Sequence, residues 1–363
     1  MSSTNAHSGT LDHTRAKSAV LAHPDTVSVL QDQSERRRLN SYMKSMGIRG
    51  GPTNLAIFVE AIRRGIPITA TRNRSIKLHG DSTYWWNNGA TSLNHPAARK
   101  ICPQKEVNSR IFRAQGIRAP ENAVFSPGEA KRAWSWARPI LPAVIKPYDG
   151  SKGQGVNTGL SKRSEFFRAF QEVETTFGHV MVEQQLAGTE HRVFLVGNQV
   201  KAALRQIPAN IVGNGISTVS ELIAEKNKTA IHPHKSIALN DIELRTLNNL
   251  RIAPNSVIDD GSRIFLRTNT NLSTGGDSID ATEELSDEER AFVKKAASCW
   301  PGLECAGFDV MLPRNPSDGP PAVLEINSSA GITAHLIPRF GQPRNVAESI
   351  LDAMFPAISS PTQ

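Results

Sequence analysis

A glycine-rich segment between two apolar runs constrains the fold of this chain more than any other feature of the sequence. Residues 142–160, PAVIKPYDGSKGQGVNTGL, predict an apolar strand that ends in Lys146, a glycine-rich turn and a second strand that starts near Val156. This order excludes a Walker P-loop and a Rossmann fingerprint, because both need the glycine loop to open a helix. The next helix is predicted only at 164–174, with Ser164 as its candidate N-cap.

The length and composition indicate a cytosolic globular protein. At 363 residues the chain can bury a large core, and a hydrophobic content of 39% fits two or three domains. The N-terminal sequence lacks the apolar core of a signal peptide, and no run approaches the ~18 apolar residues of a membrane helix. We therefore expect a cytoplasmic protein without a membrane partner. Cys102, Cys299 and Cys305 match no zinc spacing and are expected to be reduced, buried structural thiols.

The basic charge of the chain is dispersed along the sequence. The formal net charge is +8, and the densest basic run, residues 36–38, has no aromatic residues interleaved with it. That pattern is a poor footprint for nucleic acid, so we expect no nucleic-acid partner. The other Lys and Arg residues suit the phosphates and carboxylates of small substrates, or they form a solvated basic surface.

The first part of the chain predicts a polar arm followed by a small α/β domain. Residues 1–45 lack clear periodicity and are rich in Ser, Thr, His and Gln, so we expect an arm that packs loosely. Apolar residues at helical spacing predict a helix near 55–62, followed by a strand at 66–70. A second helix is predicted at 106–115. These elements suggest a domain that ends near residue 130.

The central part predicts three strands, at 179–183, 192–196 and 199–206, the last two joined as a hairpin by Gly197-Asn198. Further on, three helix starts have capping-box spacing: Thr218 with Glu221, Ser286 with Glu289 and, by analogy, Asn345 with Glu348.

Two acidic strands near the C-terminus predict a cation site. Side chains alternate across a strand, so Glu325 and Asn327 share one face. A Pro-rich turn separates residues 306–312 from 322–327, which predicts antiparallel neighbours with Asp309 across from Glu325. Such oxygen ligands suit Mg²⁺ bound with nucleotide phosphates. Alternatively, the pattern is an Asn beside an ordinary carboxylate at a strand end.

The order of seven motifs resembles the ATP-grasp superfamily, and in particular the ligase domains of cyanophycin synthetase and bifunctional glutathione synthetase. The resemblance extends over roughly residues 50–356 and rests on KPYDGSKGQGV, VEQQLAGTEHRVFLVGNQVKAALRQIPA, GNGISTVSELI, LRTNTNLSTGG, GFDVML, LEINSSAG and GQPRNVAESILDAMFP. It implies an α/β (α+β) ATP-grasp fold in which two sheet-bearing lobes clamp ATP. The expected parts are an arm at 1–45, an α/β domain at 46–130, a small lobe at 131–210 and a C-terminal lobe at 211–357.

The resemblance implies a set of ATP contacts. Backbone amides of the glycine loop can approach phosphate oxygens, and lysines neutralise the phosphate charge. Glu183 precedes a segment whose backbone would read the adenine edge, and Glu190 would accept bonds from the ribose hydroxyls. The alternatives are a solvated lysine at 105 and a polar strand-to-loop junction at 184–185. The implied ATP-binding residues are Lys105, Lys146, Gly150, Ser151, Lys152, Gly153, Gly155, Glu183, Gln184, Gln185, Leu186 and Glu190.

The resemblance also implies metal and substrate contacts. Asp309, Glu325 and Asn327 match a magnesium triad that would hold two Mg²⁺ ions at the phosphates. Arginines can bind an anionic acyl phosphate, although surface ion pairs would also explain them. The implied catalytic residues are Arg205, Arg267 and Asn271. The implied substrate-binding residues are Arg192, Ser273, Thr274, Gly275, Gly276, Ser328, Gly331 and His335. A tight surface turn is the alternative for 271–276.

The implied function is an ATP-dependent ligase that joins a small carboxylate donor to an amine acceptor. Both substrates would be amino-acid-like, the intermediate an acyl phosphate, and the products an amide, ADP and phosphate. We expect a role in specialised metabolism and a possible homo-oligomer. The alternatives are an ATP-grasp carboxylate kinase, an ATP-binding module without ligase turnover and a basic nucleic-acid-binding protein. His335 and His191 are candidate bases for the amine proton, but a lone histidine is commonly structural.

The sequence departs from the family pattern in three places. Cyanophycin synthetase continues the metal strand into a Gly-Leu-Arg-Met-His type sequence, whereas residues 331–335 read Gly-Ile-Thr-Ala-His, without the basic residue on the acceptor side. The additional domains of both relatives have no counterpart, so we expect neither of their other activities. YWWNNG, residues 84–89, also matches nothing in the pattern and would pack as core or line a substrate entrance.

Overall fold

In the computed structural model, which describes residues 13–150, 153–229, 233–270 and 272–358, the chain forms an N-terminal unit and two lobes, each built around its own sheet. The N-terminal unit begins with four helices: α1 (His13–Leu21), α2 (Thr26–Gln31), α3 (Gln33–Ser45) and α4 (Pro52–Arg63).

The expectation of a loosely packed arm is wrong for residues 13–45. The first three helices bury apolar residues such as Val20, Leu30 and Leu39 in the same core as the apolar face of α4. Asp25 and Asp32 cap α2 and α3 by accepting bonds from backbone N–H groups. Because these helices are short and otherwise polar, their few apolar positions did not stand out as a periodic pattern.

A four-stranded antiparallel sheet completes the N-terminal unit. Its strands are β1 (Ile68–Ala70), β2 (Ile76–His79), β3 (Thr83–Asn87) and β4 (Ala90–Thr91), in that spatial order. Trp86 of β3 is buried. At the β3–β4 turn, a Cβ on Gly89 would lie 2.3 Å from the Ala330 carbonyl oxygen. The YWWNNG segment therefore packs as core and also presses its tip against the backbone that follows the acidic strands.

The small lobe carries the glycine-rich loop. Two helices precede it in the chain, α5 (Pro96–Ile101) and α6 (Lys105–Ala114), and their buried residues pack in the core of the large C-terminal sheet. The elements of the small lobe, in chain order, are β5 (Asn122–Phe125), α7 (Ala130–Ala137), β6 (Ala143–Pro147), β7 (Asn157–Leu160), α8 (Arg163–Phe177) and β8 (Val180–Gln184). The sheet order is β5-β8-β6-β7, so the glycine loop joins neighbouring strands, as the sequence predicts. The predicted N-cap is wrong, because Lys162 occupies that position and Ser164 lies inside the helix.

The C-terminal lobe holds the acidic strands. Its elements, in chain order, are β9 (Thr189–Val196), β10 (Gln199–Ile207), β11 (Asn210–Val212), α9 (Val219–Lys228), α10 (Asp241–Asn249), β12 (Arg263–Phe265), a 3-10 turn (Leu272–Thr274), β13 (Asp277–Asp280), α11 (Asp287–Ser298), β14 (Cys305–Leu312), β15 (Ala322–Asn327), α12 (Thr333–Leu336) and α13 (Val346–Met354). The large sheet has the order β13-β10-β9-β14-β15.

Two of the expected domain boundaries conflict with the strand pairing. β5 lies before residue 130 but hydrogen-bonds to β8 in the small-lobe sheet. β9 and β10 lie before residue 210 but belong to the large sheet, because β9 pairs with β14 along its whole length. Backbone ladders decide which sheet a strand belongs to, and the sequence did not show these long-range pairings.

The helix caps, the cysteines and the C-terminal helix can be compared with what the sequence predicts. Thr218 and Ser286 form the predicted capping boxes, whereas Asn345 caps without a side-chain bond. Cys102 and Cys305 are buried and Cys299 is partly buried, all as free thiols. None of the described helices combines the length and the apolar composition needed to cross a bilayer. α13 packs against α4, which ties the C-terminal segment to the N-terminal unit.

Candidate active site

A straight row of residues crosses the large sheet and defines its cleft face. Five strands pair in register, one residue from each directly opposite the next. Residues directly opposite in antiparallel strands project to the same face. From one edge of the sheet to the other, the row is Asp280, Leu204, Arg192, Asp309 and Glu325. Asn327 lies two residues after Glu325 and shares this face, as the sequence predicts.

Asp309 is buried and fully engaged by an arginine. Arg192 Nε donates to Oδ1 at 2.7 Å, and Arg192 Nη2 donates to Oδ2 at 2.7 Å. Asn327 Nδ2 donates to Oδ2 at 3.3 Å. The carboxylate beside it raises the pKa of the Arg192 guanidinium. The geometry is the bidentate fork that gives arginine–carboxylate pairs their strength.

Glu325 faces a lysine that also contacts the glycine loop. Lys105, the first residue of α6, has its Nζ 3.8 Å from Glu325 Oε2 and donates to the Gly150 carbonyl at 3.2 Å. Burial raises the pKa of Glu325; Lys105 opposes this shift and Asp309 adds to it. These residues line a cleft of about 390 Å³ together with Tyr148 and Asn327. The structure thus brings three predicted site residues from separate elements into one cleft.

Lys146 and Glu183 form an ion pair inside the small-lobe sheet. Lys146 Nζ donates to Glu183 Oε1 at 2.8 Å, and both side chains are largely buried. The backbone N–H groups of Gln184 and Gln185 donate to the carbonyls of Glu121 and Pro142. Because those N–H groups already donate hydrogen bonds, the backbone groups left as candidates for hydrogen bonds to an adenine edge are the carbonyls of Gln184 and Gln185 and the backbone of Leu186.

The glycine loop packs on Pro147, and this packing requires glycine. A Cβ on Gly150 would lie 2.9 Å from Pro147 Cβ, and one on Gly155 would lie 2.8 Å from Phe177 Cε2. Gly155 also has φ +68°, which other residues rarely adopt. Gly153 has φ 69°. Ser151 and Lys152, both predicted phosphate contacts, lie outside the described residues.

Glu190 lies on the cleft face, two residues before Arg192. It accepts a bond from Thr270 Oγ1 at 2.9 Å. Burial raises its pKa to about 7, and the nearby Asp309 adds to the shift. Two acidic groups close together disfavour each other's ionisation. The predicted ribose ligand thus lies close to the metal-site carboxylates and is linked by Thr270 to the segment before residue 271.

Arg205 is not in the cleft. It pairs with His191 across β9–β10 and with Ile279 across β10–β13, so it projects to the opposite face from Arg192. There its guanidinium lies 3.6 Å from Glu284. The prediction that Arg205 contacts an acyl phosphate is therefore wrong for this arrangement. Gln206, which sequence reasoning missed, is on the cleft face, 3.3 Å from Thr270 Oγ1.

Arg267 and several residues of the predicted substrate loop contact other residues of the protein. Arg267 donates from Nε to the buried Glu243 of α10. Thr274 Oγ1 donates to Asn269 Oδ1 at 3.1 Å, and a Cβ on Gly275 would lie 2.4 Å from Ile237. Ser273 is in the 3-10 turn, Gly276 is buried and Asn271 lies outside the described residues. Arg267 is thus engaged with a carboxylate of the protein.

His335 is a fully buried histidine. Its ring lies 5.5 Å from the Phe194 ring, and neither ring nitrogen has a hydrogen-bond partner among the described residues. Burial lowers its pKa to about 3. Such a group stays neutral and has no access to a substrate here. His191, the other candidate base, is buried on the opposite face of the sheet, where it bonds the Thr189 carbonyl.

The backbone after β15 is held by the N-terminal unit. Asn94 Nδ2 donates to the Ser328 carbonyl at 3.1 Å, and Thr53 and Thr333 hydroxyls are 2.8 Å apart. Gly331 is exposed, and a Cβ there would lie 3.7 Å from Thr53 Oγ1. The predicted substrate residues of this segment are thus positioned by contacts between domains, which no local sequence pattern shows.

The donor set on the cleft face fits a hard cation. Carboxylate and amide oxygens at Asp309, Glu325 and Asn327 are the ligands Mg²⁺ prefers. Burial raises the pKa values of Glu190 and Glu325, and the neighbouring Asp309 carboxylate adds to both shifts; a bound cation would favour the charged forms of these groups. Among the described residues, no group of three or more His, Cys, Asp or Glu side chains forms a metal cluster. The set therefore suits an ion that takes its remaining ligands from a bound phosphate.

The arrangement of the sheets defines the class of fold: the chain has an ATP-grasp fold. The chain is homologous to cyanophycin synthetase of Nostoc sp., with 30% identity over 84% of this chain and 35% of the relative. It is likewise homologous to the glutathione biosynthesis bifunctional protein of Mannheimia succiniciproducens, with 30% identity over 84% of this chain and 42% of the relative. The chain thus spans well under half the length of these relatives.

A solved structure supports the same assignment. The bifunctional glutathione synthetase from Pasteurella multocida superposes with a TM-score of 0.64 and 26% identity, over 89% of this chain and 46% of that one. No protein-family model matches the chain.

Proposed function

We propose that the chain is an ATP-dependent carboxylate–amine ligase that forms an amide bond between small, amino-acid-like substrates through an acyl phosphate. The observation that carries this proposal is the meeting of Lys105, Gly150 and Glu325 in one cleft, beside the Arg192–Asp309 pair. A phosphate-binding lysine, a glycine loop and acidic side chains in one cleft suit phosphoryl transfer. Homology to two biosynthetic proteins supports it.

ATP would lie between the two sheets. Lys146 and Lys105 would neutralise phosphate charge, and the glycine loop with Ser151 and Lys152 would cover the phosphates. The backbone at Gln184–Leu186 would contact the adenine, and Glu190 the ribose. Mg²⁺ would be held by Asp309, Glu325 and Asn327, and when bound it would neutralise the charge of the transferring phosphoryl group.

The chemistry follows in two steps. An oxygen of the donor carboxylate attacks the γ-phosphorus, the bond from that phosphorus to the bridging oxygen breaks, and ADP leaves. The amine nitrogen then attacks the acyl carbon, the bond from that carbon to the phosphate oxygen breaks, and the amine loses a proton. Arg192 would bind the anionic donor on the cleft face. The protein mainly positions the groups and excludes water, which would hydrolyse an acyl phosphate.

The acceptor side differs from that expected for cyanophycin synthetase. At the position of the basic residue in that pattern, this chain has Thr333, which is buried and bonded to Thr53. An acceptor carboxylate would therefore find no positive charge at this position. We propose that the acceptor is an amine recognised by neutral groups, such as a product of specialised metabolism.

A carboxylate kinase is the second candidate. The observation in its favour is that neither predicted base is open to the cleft: His335 is buried and has no hydrogen-bond partner within the described part of the chain, and His191 lies on the opposite face of the sheet. A kinase needs no base for an amine. It would release the acyl phosphate itself.

A pairwise screen tests the proposal. Amino acids and amines are supplied in pairs with ATP and Mg²⁺, ADP release is followed, and products are identified by mass. We expect ADP release that depends on both an acid and an amine, with a product lighter than the sum of both by one water. Release that depends on the acid alone, with no coupled product, would support the kinase. ADP release that depends on neither the acid nor the amine would contradict both the ligase and the kinase activity.

A further inference from the structure

Each acidic residue of the candidate metal site already has a cation supplied by the protein. Arg192 occupies both oxygens of Asp309 at 2.7 Å, and Lys105 lies 3.8 Å from Glu325. The two pairs differ in strength, because the first is a bidentate hydrogen-bonded fork and the second is only an ion pair. A metal ion that binds Asp309 therefore competes mainly with Arg192.

The contacts and exposure of Arg192 allow it to release Asp309. Among the described residues, its hydrogen bonds go to Asp309 alone, and 31% of its side chain is exposed. Arg64 shows the contrast: its guanidinium is fully buried and contacts Glu60, Asp352 and the backbone carbonyls of Glu348 and Ile358. An arginine with one partner and a solvent-facing side loses little when that partner is taken by an ion.

We propose that Arg192 is a competitor for the metal site and a sensor of its occupation. Without a cation it neutralises Asp309. With a cation on Asp309, the positive charges repel, and the guanidinium turns from Asp309 to the carboxylate or acyl phosphate of the donor. This inference rests on the proposed function for the identity of that anion. It implies that metal and nucleotide load before the donor, because Arg192 is otherwise engaged.

Metal binding without nucleotide or substrate tests the competition by itself. Mn²⁺ is the probe, and its free concentration is followed by electron paramagnetic resonance at constant ionic strength. We expect R192Q to bind Mn²⁺ at least about tenfold more tightly than the unaltered protein, because a unit positive charge beside the site is removed. R192K keeps the charge but loses the fork, so we expect an intermediate affinity.

Arg205 provides the matched control, since it lies on the opposite face of the same sheet. R205Q removes the same charge and should leave Mn²⁺ affinity within about twofold of the unaltered protein. The proposal is overturned if R192Q binds Mn²⁺ no more tightly, or if R205Q tightens it equally. Should R192Q not fold by circular dichroism, R192K decides: an affinity equal to that of the unaltered protein overturns the proposal. Ligase activity does not enter this measurement, so failure of the proposed function is seen separately.

Discussion

Asp309 and Glu325 lie directly opposite each other across the β14–β15 pair, with both side chains on the cleft face. Like charges at such positions destabilise a sheet. The structure offsets this with Arg192 and Lys105, each of which also faces the cleft. Paired acids that need two internal cations are costly for a fold alone and are common where a protein binds a cation or transfers phosphate.

Replacing Glu325 should stop the chemistry without unfolding the protein. E325Q removes the charge but keeps the shape, so we expect ADP formation to fall by roughly 100-fold or more. K146M should do the same, with some loss of stability because Glu183 is left buried without its partner. ADP release and thermal unfolding measure the two effects. E284Q, a partly exposed glutamate behind the sheet, serves as the control, and full activity in E325Q would remove Glu325 from the site.

Replacing Arg192 and replacing Arg205, which lie on neighbouring strands, should have different effects on activity. R192Q removes a cleft-facing donor, and we expect acid-dependent ADP formation to fall by roughly 100-fold. R205Q should stay within about twofold, because Arg205 contacts Glu284 on the other face. Initial rates at several acid concentrations give the comparison. A large loss in R205Q would mean that its side chain reaches the cleft after all.

His335 should make the protein sensitive to acid. Its folded-state pKa, about 3, lies below the ordinary value, so the unfolded state takes up a proton first as the pH falls below about 6.5. Stability from this group is full above that pH and declines by up to about 1.4 kcal/mol per pH unit below it. We expect H335L to flatten this decline and to be at least as stable at pH 8, since both ring nitrogens are buried without partners.

Urea unfolding at pH 8 and pH 5 measures this difference. H79Q is the control, because His79 is a partly exposed histidine bonded to Thr69. An equal loss of stability on acidification in H335L and the unaltered protein would show that His335 is accessible and titrates normally.

Glu190 should have the opposite effect on the pH dependence of stability to that of His335. Its pKa is raised to about 7, so the folded state holds a proton more strongly than the unfolded state between about pH 4.5 and 7. Stability from this group therefore falls as the pH rises through that window. E190Q should be more stable than the unaltered protein at pH 8 in the absence of Mg²⁺, with a smaller difference at pH 5. Melting temperatures at the two pH values test this, and a pH-independent difference would contradict the raised pKa.

The cleft strands were predictable and the arginine faces were not. The Pro-rich turn predicted β14 and β15 as antiparallel neighbours, but the pairing of Asp309 with Glu325 also depends on a register shift between Asp309 and Val310, which leaves Leu324 as an extra residue in β15. The prediction for Arg205 was wrong because of a β-bulge. The register of β9–β10 shifts between Val200 and Ala202, so Lys201 is an extra residue in β10. Without this shift, Lys201 would pair with Phe194, and Arg205 would pair with Glu190 on the cleft face. A shift of one residue reverses every later side chain, and no local signal in the sequence marks it.

Long-range packing accounts for the other differences. His335 is buried because α12 packs onto the strand that carries Phe194, and the three N-terminal helices are ordered because α4 offers them an apolar face. Neither contact is visible in the local pattern, since both join segments far apart in the chain. By contrast, the glycine loop was predictable because its neighbours on both sides are strands in sequence as well as in space.

If the cleft couples phosphoryl transfer from ATP to amide formation through an acyl phosphate, oxygen from the donor acid must appear in the released phosphate. The most direct measurement uses a donor acid, identified in the pairwise screen, labelled with ¹⁸O in both carboxylate oxygens. If the carboxylate attacks phosphorus and the amine then displaces phosphate, one ¹⁸O appears in each phosphate released and one stays in the amide. We predict this pattern in the unaltered protein, and turnover in E325Q that is slower by roughly 100-fold or more. Phosphate without ¹⁸O, formed together with the amide, would rule out an acyl phosphate intermediate.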